Sequence, residues 1–321
     1  MLTLVALPLL SPILRREFIF DHAPFKACHA STIAQNHEGG LIAAWFGGDK
    51  EGAPNVDIYV ARRDLATGWT PPRVAATGHG EPCWNPVLFQ PASGPLLLFY
   101  KLGKSAENWS GMVTTSSDSG ATWTVPQHLP KGILGPIKNK PIQLSDGTIL
   151  CGSSEQEGGW RIHMEQTSDF GASWSRTPDL NNHHRIEAIQ PSLLAMGAGR
   201  IRALGRTLQS RIFSIDSEDN GKTWGAMRLT SLPNNNSGID AVRLLDGRYL
   251  LAYNDTTKER TPLSIAVSDD AEHWTKIMNV EKGPGEFSYP AIIQSEDGLV
   301  HLTYTWKRIS ICHVVIDPAL F

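Results

Sequence analysis

The sequence predicts an all-β fold, a six-bladed β-propeller running through residues 1–321 as a single domain. Three observations predict it. An eight-residue pattern, S/T-x-D-x-G-x-S/T-W, occurs at 116–123, 167–174 and 217–224, with worn copies at 64–69 and 268–274. The tryptophans closing these copies, Trp69, Trp123, Trp174, Trp224 and Trp274, lie 50 to 54 residues apart, so a unit of that length repeats. A glycine turn followed by a β-rich run recurs six times, at Gly40, Gly94, Gly147, Gly199, Gly247 and Gly298. Finally, 29 glycines and 21 prolines against 19% charged residues favour turns, and no stretch reads as a long helix.

Taken from the start, residues 2–14 are apolar but lack a basic n-region and an A-x-A-like cleavage site, and they are too few to span a bilayer. They are expected to form a poorly ordered start leading into a strand at 17–20, with a cytoplasmic location as the default and no membrane partner. Each repeat then opens with a hairpin. Asp-Gly at Asp146-Gly147, Asp246-Gly247 and Asp297-Gly298 tolerates the positive φ of a tight turn between antiparallel strands. A second hairpin, closed by the Asp motif, follows, so one repeat holds about four strands. Six such sheets arranged radially bury both faces of each and keep the edges short. Within the motif, the Asp carboxylate and Ser or Thr hydroxyl can bond turn amides, glycine supplies positive φ, and tryptophan packs between sheets. These residues are read as a folding device and supply no site residue.

Composition narrows the function. A formal charge of −3 leaves no broad basic surface for neutralising phosphates, which argues against a nucleic-acid partner. Cys28, Cys83, Cys151 and Cys312 lie far apart without a C-x-x-C pair, so neither a zinc site nor a disulfide scaffold is expected. No metal motif and no G-x-G-x-x-G or P-loop fingerprint appears, so no cofactor is expected.

In a propeller the first strand of each blade lines the central axis. The corresponding segments are His29-Ala30-Ser31, Trp84-Asn85-Pro86, Asn139-Lys140-Pro141, Ile189-Gln190-Pro191, Ile239-Asp240-Ala241 and Ser288-Tyr289-Pro290. Polar groups recur there where a structural core would favour Val or Ile. Each blade contributes one, so they are expected to converge on one pocket. The ends of the second strands add Lys101, Glu155, Arg206 and the pair Trp306-Lys307. Lys101, Lys140, Arg206, Arg260 and Lys307 together suggest a pocket with excess cations, suited to a carboxylate, with arginine the better bidentate partner.

The repeated Asp motifs resemble the Asp-box repeats of the sialidase (neuraminidase) superfamily over nearly the whole chain. The resemblance implies a tyrosine nucleophile on the first strand of the last blade, and Tyr289 matches it. It also implies three arginines around a substrate carboxylate; Arg206 and Arg260 fit the second and third places, whereas His29 stands at the first. The glutamate that assists the tyrosine is replaced by Gln190, and an amide cannot take the phenol proton. The acid/base residue implied by the resemblance falls in the loop holding Asp49 and Glu51, with Glu51 preferred. The chain is thus most similar to a neuraminidase-like branch with an incomplete catalytic set.

Three functions follow. The first is an exo-acting glycoside hydrolase on an acidic sugar, with Arg206 and Arg260 holding the carboxylate, Tyr289 at the reacting carbon and Glu51 as acid. His29, Asp240 or Glu286 would then accept the phenol proton. The remaining candidate contacts to substrate are Lys101, Lys140, Asn85, Gln190, Trp84 and Lys307. The second is a lyase or unusual glycosidase acting at a uronic acid, with His29 or Tyr289 abstracting a proton. The third is a non-catalytic carbohydrate-binding propeller with Trp84, Trp109, Trp160 and Trp306 as stacking platforms. The partner in each case is an acidic oligosaccharide or glycoside.

Overall fold

The computed structural model describes residues 11–64 and 67–321, and residues 2–10 of the apolar start lie outside them. Six antiparallel sheets follow one another along the chain. Blade 1 comprises Ala27–Gln35, Leu41–Gly48, Asp57–Asp64 and the outer pieces Gly68–Trp69 and Arg73–Ala76. Blade 2 comprises Cys83–Phe89, Leu96–Leu102, Ser110–Ser116 and Gln127–His128, and blade 3 Ile142–Gln143, Ile149–Glu155, Arg161–Thr167 and Ser175–Arg176. Blade 4 holds Ala188–Gly197, Arg200–Thr207, Arg211–Ser217 and Arg228–Pro233; blade 5 holds Asp240–Arg243, Tyr249–Asn254, Leu263–Ser268 and Thr275–Glu281. Blade 6 takes Phe287–Gln294, Val300–Trp306 and Ser310–Ile316 from the end of the chain and Ile13–Phe18 from the beginning, so pairing of first and last strands closes the ring. That opening strand begins four residues earlier than the expected 17–20.

The hydrophobic clusters sit between blades. Leu98, Phe46 and Ile58 pack blade 1 on blade 2, and Leu204, Leu251 and Ala266 pack blade 4 on blade 5. The five motif tryptophans each rest against such a seam. In the 116–123 copy, Asp118 Oδ1 accepts the Thr122 amide at 2.9 Å and the Ser116 hydroxyl at 2.7 Å, while Ser116 Oγ accepts the Gly120 amide at 2.8 Å. Asp169 and Asp219 make the same bonds in their copies. Asp270 does so in the worn copy with His273 in place of the hydroxyl residue. The four cysteines are buried and unbridged.

One irregularity prepares the site. In blades 1, 2, 4 and 6 the first strand shifts register at the same place, between His29 and Thr32, Trp84 and Val87, Ile189 and Ser192, and Ser288 and Ala291. The residue in each bulge has positive φ although none is glycine: Ala30 at 57°, Asn85 at 31°, Gln190 at 58° and Tyr289 at 54°. A bulge places two residues opposite one and re-aims side chains, and left-handed backbone in a non-glycine residue persists only where surrounding structure enforces it.

Candidate active site

Tyr289 is the centre of the axial cluster and is 7% exposed. The His29 ring lies 4.2 Å from its ring, centroid to centroid, and the Gln190 amide nitrogen approaches its hydroxyl at 3.4 Å. Three cations surround the ring: Arg206 at 5.5 Å, Arg260 at 5.6 Å and Lys138 at 5.7 Å from its centroid. A fourth, Arg308, donates from Nε to Glu286 at 3.0 Å and pairs through Nη1 with Glu51. Arg260 also donates to Glu286, at 2.8 Å, and so does the Ser288 hydroxyl, at 2.7 Å. Residues 29, 51, 190, 206, 260 and 289, predicted to converge, do meet here.

Electrostatics reflect this crowding. Burial pushes the His29 imidazole well below its ordinary pKa, and the charges of Arg308, Arg260, Arg206 and Lys138 push it further the same way. His29 is therefore neutral, and its Nδ1 lies 3.0 Å from the Thr305 hydroxyl. Burial likewise brings Lys138 down to about 7, although its ammonium donates to Asn139 Oδ1 and to the carbonyls of Ile239 and Pro290. Burial alone would raise the Glu286 carboxyl, but the Ser288 hydrogen bond and the charges of Arg260 and Arg308 hold it below the usual range. Two buried polar atoms of the cluster, Gln190 Oε1 and Arg206 Nε, have no hydrogen-bond partner. Such atoms also occur in the seams between blades, at Trp45 Nε1 and His163 Nδ1, so it is the surrounding cations and not the missing bonds that mark this cluster.

Several expected members stand elsewhere. Lys101 is fully buried between blades 2 and 3 and donates to the Pro136 carbonyl at 2.9 Å; it does not reach the axial pocket. Asp240 is consumed by structure: Oδ2 accepts Lys140 at 2.9 Å and the Ile292 amide at 2.9 Å, and Oδ1 accepts the Ser192 hydroxyl and the Ala241 amide. Lys140, ion-paired to Asp240, is correspondingly not a free cation. Lys307 lies over Trp306, 4.5 Å from its ring, while the adjacent Arg308 turns inward. Trp84 donates to the Gly103 carbonyl at 2.7 Å and sits beside the Glu51 loop, and Asn85 donates to the Ile137 carbonyl at 3.2 Å. Sequence reasoning missed Lys138 and Arg308. Both neighbour a predicted residue in a basic pair or triplet, so the charge was visible and the direction was not. Blade 3's first strand is only Ile142–Gln143, and the irregular backbone before it brings Lys138, not Lys140, to Tyr289.

Six blades, five of them carrying full or worn Asp motifs, around a polar, cation-rich axis define a sialidase-like propeller. The chain belongs to the family of BNR repeat-like domains, whose profile matches residues 39–302. In fold it is similar to a protein of unknown function from Dyadobacter fermentans, with a TM-score of 0.81 at 17% identity over 95% of this chain and 98% of that one. It is also similar to the NanB sialidase from Streptococcus pneumoniae, with a TM-score of 0.78 at 11% identity over 98% of this chain and 72% of that one. For Trypanosoma rangeli sialidase the TM-score is 0.73 at 14% identity, covering 92% of this chain and 56% of that one. No curated protein matches the chain in sequence.

Proposed function

We propose that the ring acts as a single catalytic domain, an exo-acting glycoside hydrolase that removes an acidic sugar. The observation that carries this reading is the charge imbalance around Tyr289: Arg206, Arg260, Arg308, Lys138 and Lys140 face three carboxylates, Glu51, Glu286 and Asp240. A ligand carboxylate restores the balance, and the three guanidiniums offer planar forks for it. The resemblance to sialidases, the likeness of fold and the tyrosine at the centre support the same class of chemistry.

In this scheme the substrate carboxylate competes with Glu51 for Arg308. Released from that ion pair, Glu51 can carry a proton and deliver it to the leaving oxygen as the glycosidic C–O bond breaks. The Tyr289 oxygen forms a bond to the anomeric carbon, and its proton passes to His29. Asp240 is fully engaged and Glu286 is held by two arginines and Ser288, which leaves the His29 imidazole, tilted at 48° to the phenol ring, as the acceptor once the substrate carboxylate offsets the cations that keep it neutral in the free protein. Glu51, now a carboxylate, then takes a proton from water as the water oxygen bonds to the anomeric carbon, the bond to Tyr289 breaks, and His29 returns its proton to the phenolate. The test is turnover of 4-methylumbelliferyl glycosides of sialic and uronic acids. Tyr289→Phe and Glu51→Gln are each expected to lower kcat by about a hundredfold or more. Wild-type turnover that survives both changes would sink the scheme.

The buried neutral His29 also favours a second reading, a lyase in which the cations acidify the C–H next to a uronate and His29 removes that proton. An unsaturated uronide product, absorbing in the ultraviolet, separates this reading from hydrolysis.

A further inference from the structure

The three guanidiniums at the axis are held in two different ways. Arg260 and Arg308 are pinned by carboxylates, both of them by Glu286 and Arg308 also by Glu51. Arg206 forms no ion pair among the described residues, and its Nη1 donates to the Asn236 carbonyl at 3.0 Å. Two aromatic rings stand where a carboxylate would. The guanidinium carbon of Arg206 lies 5.4 Å from the centre of the Trp160 ring and 5.5 Å from that of Tyr289. A cation over an aromatic face is attracted by the ring quadrupole, most strongly over tryptophan. Such a face takes few of the five N–H donors, whereas a carboxylate takes two at once. Arg206 is thus fixed in place with its charge uncompensated.

Trp160 is itself held from behind. It precedes the strand Arg161–Thr167 and follows Gly158 and Gly159, whose φ values of 68° and 115° turn the chain sharply. A Cβ at Gly159 would stand 2.5 Å from the His183 ring, so glycine there lets the segment 181–187 close against the turn. From that segment Asn181 donates to the Trp160 carbonyl at 2.9 Å and to the Ile186 carbonyl at 2.7 Å, and accepts the Ile162 amide at 2.8 Å. The Trp160 carbonyl also accepts the Ala188 amide at 3.4 Å, at the start of the strand that carries Gln190. This support does not serve a seam. Trp160 is half-buried and, unlike the five motif tryptophans, belongs to none of the hydrophobic clusters among the described residues.

We propose that Trp160 is the positioning residue for Arg206, holding its guanidinium over Tyr289 by the ring face so that the donors of the fork stay free for the ligand carboxylate. The inference rests on the proposed function only for the ligand; the hold on Arg206 stands without it. A double-mutant cycle of Trp160→Leu and Arg206→Met on the full chain, read by chemical denaturation, tests the hold. Trp160→Leu is expected to lower the folding constant about tenfold more in the wild type than in Arg206→Met, the worth of a desolvated cation–π pair. If Trp160→Leu does not fold, Trp160→Phe takes its place, with a coupling of about threefold expected from the weaker ring. Additive effects in whichever variant folds overturn the inference. In turnover of the acidic methylumbelliferyl glycosides, Trp160→Leu should raise KM about tenfold with kcat within about twofold, Trp160→Phe should restore most of the loss, and neither should act in Arg206→Met. A fall in kcat with KM unchanged would place Trp160 at the reacting centre and overturn the positioning role. Failure of the axial reading looks different: no acidic glycoside is turned over while the coupling of Trp160 to Arg206 persists.

Discussion

Two regions of this propeller bury charged side chains, and they do so on opposite terms. Between blades 2 and 3, Lys101, Glu165 and His163 are all fully buried. Glu165 accepts the amides of Leu134 and Gly135 and lies 2.7 Å from His163 Nε2, and its charge attracts Lys101. One carboxylate there faces one ammonium. At the axis, five cations, Lys140 included, face three carboxylates, Asp240 included; unpaired buried atoms do not separate the two regions, since His163 Nδ1 has no partner in the first and Gln190 Oε1 and Arg206 Nε have none in the second. A balanced buried cluster is explained by folding alone. An unbalanced one is costly in the free protein and is explained by a ligand that completes it.

The sharpest way to break this contrast is to unbalance the closed cluster. Glu165→Ala strands Lys101 and two amides in the interior and is expected to destabilise the fold by about 3–5 kcal/mol in chemical denaturation. A loss below 1 kcal/mol would mean that the cluster is not a structural pair. The axis should respond in the other direction. Arg206 is buried, its pKa is lowered chiefly by burial, and its Nη1 donates to the Asn236 carbonyl while its Nε has no partner. Arg206→Met is therefore expected to leave stability unchanged or raise it by about 1 kcal/mol, while affinity for an acidic monosaccharide falls by roughly thirtyfold, measured by calorimetry. A strongly destabilised variant with unchanged affinity would place Arg206 with the structural charges.

The smallest effect concerns pH. His29 is kept neutral in the folded protein, whereas the unfolded chain takes up a proton at a histidine near pH 6.5. Below that pH the unfolded state binds more protons, so His29 contributes stability that is present above about 6.5 and lost as pH falls. His29→Asn should flatten the stability profile between pH 6.5 and 5. It should not abolish the slope, because burial also depresses His301, to about 4, in blade 6. An unchanged slope would mean that His29 protonates in place.

The contrast also separates what could be read early from what could not. The blades were legible because each is built by contacts close in sequence: Ser116, Asp118, Gly120 and Thr122 bond one another within seven residues, and Trp174 and Trp224 each donate to a glycine carbonyl three residues before them. Arg206, Arg260 and Tyr289 were legible because they occupy marked places in that repeat. Lys101 was misplaced for the opposite reason. On a strand, successive side chains face opposite sides, so a cation at a strand end can point to the axis or into the seam with no change in local pattern.

By itself the sequence determined the repeat, the number of sheets and the polar character of the axial positions, because turn chemistry and strand periodicity are local. Tertiary structure alone decided which cations meet. The positive φ of Lys307 and Arg308, at 52° and 61°, brings Arg308 to Glu51 and Glu286, and the irregular backbone at Lys138 brings that charge to Tyr289, while Asp240 and Lys140 pair with each other beside it. Those outcomes depend on loops from different blades being brought together when the ring closes. Coulomb forces between residues 138, 206, 260 and 308 exist only once that closure has removed both water and distance.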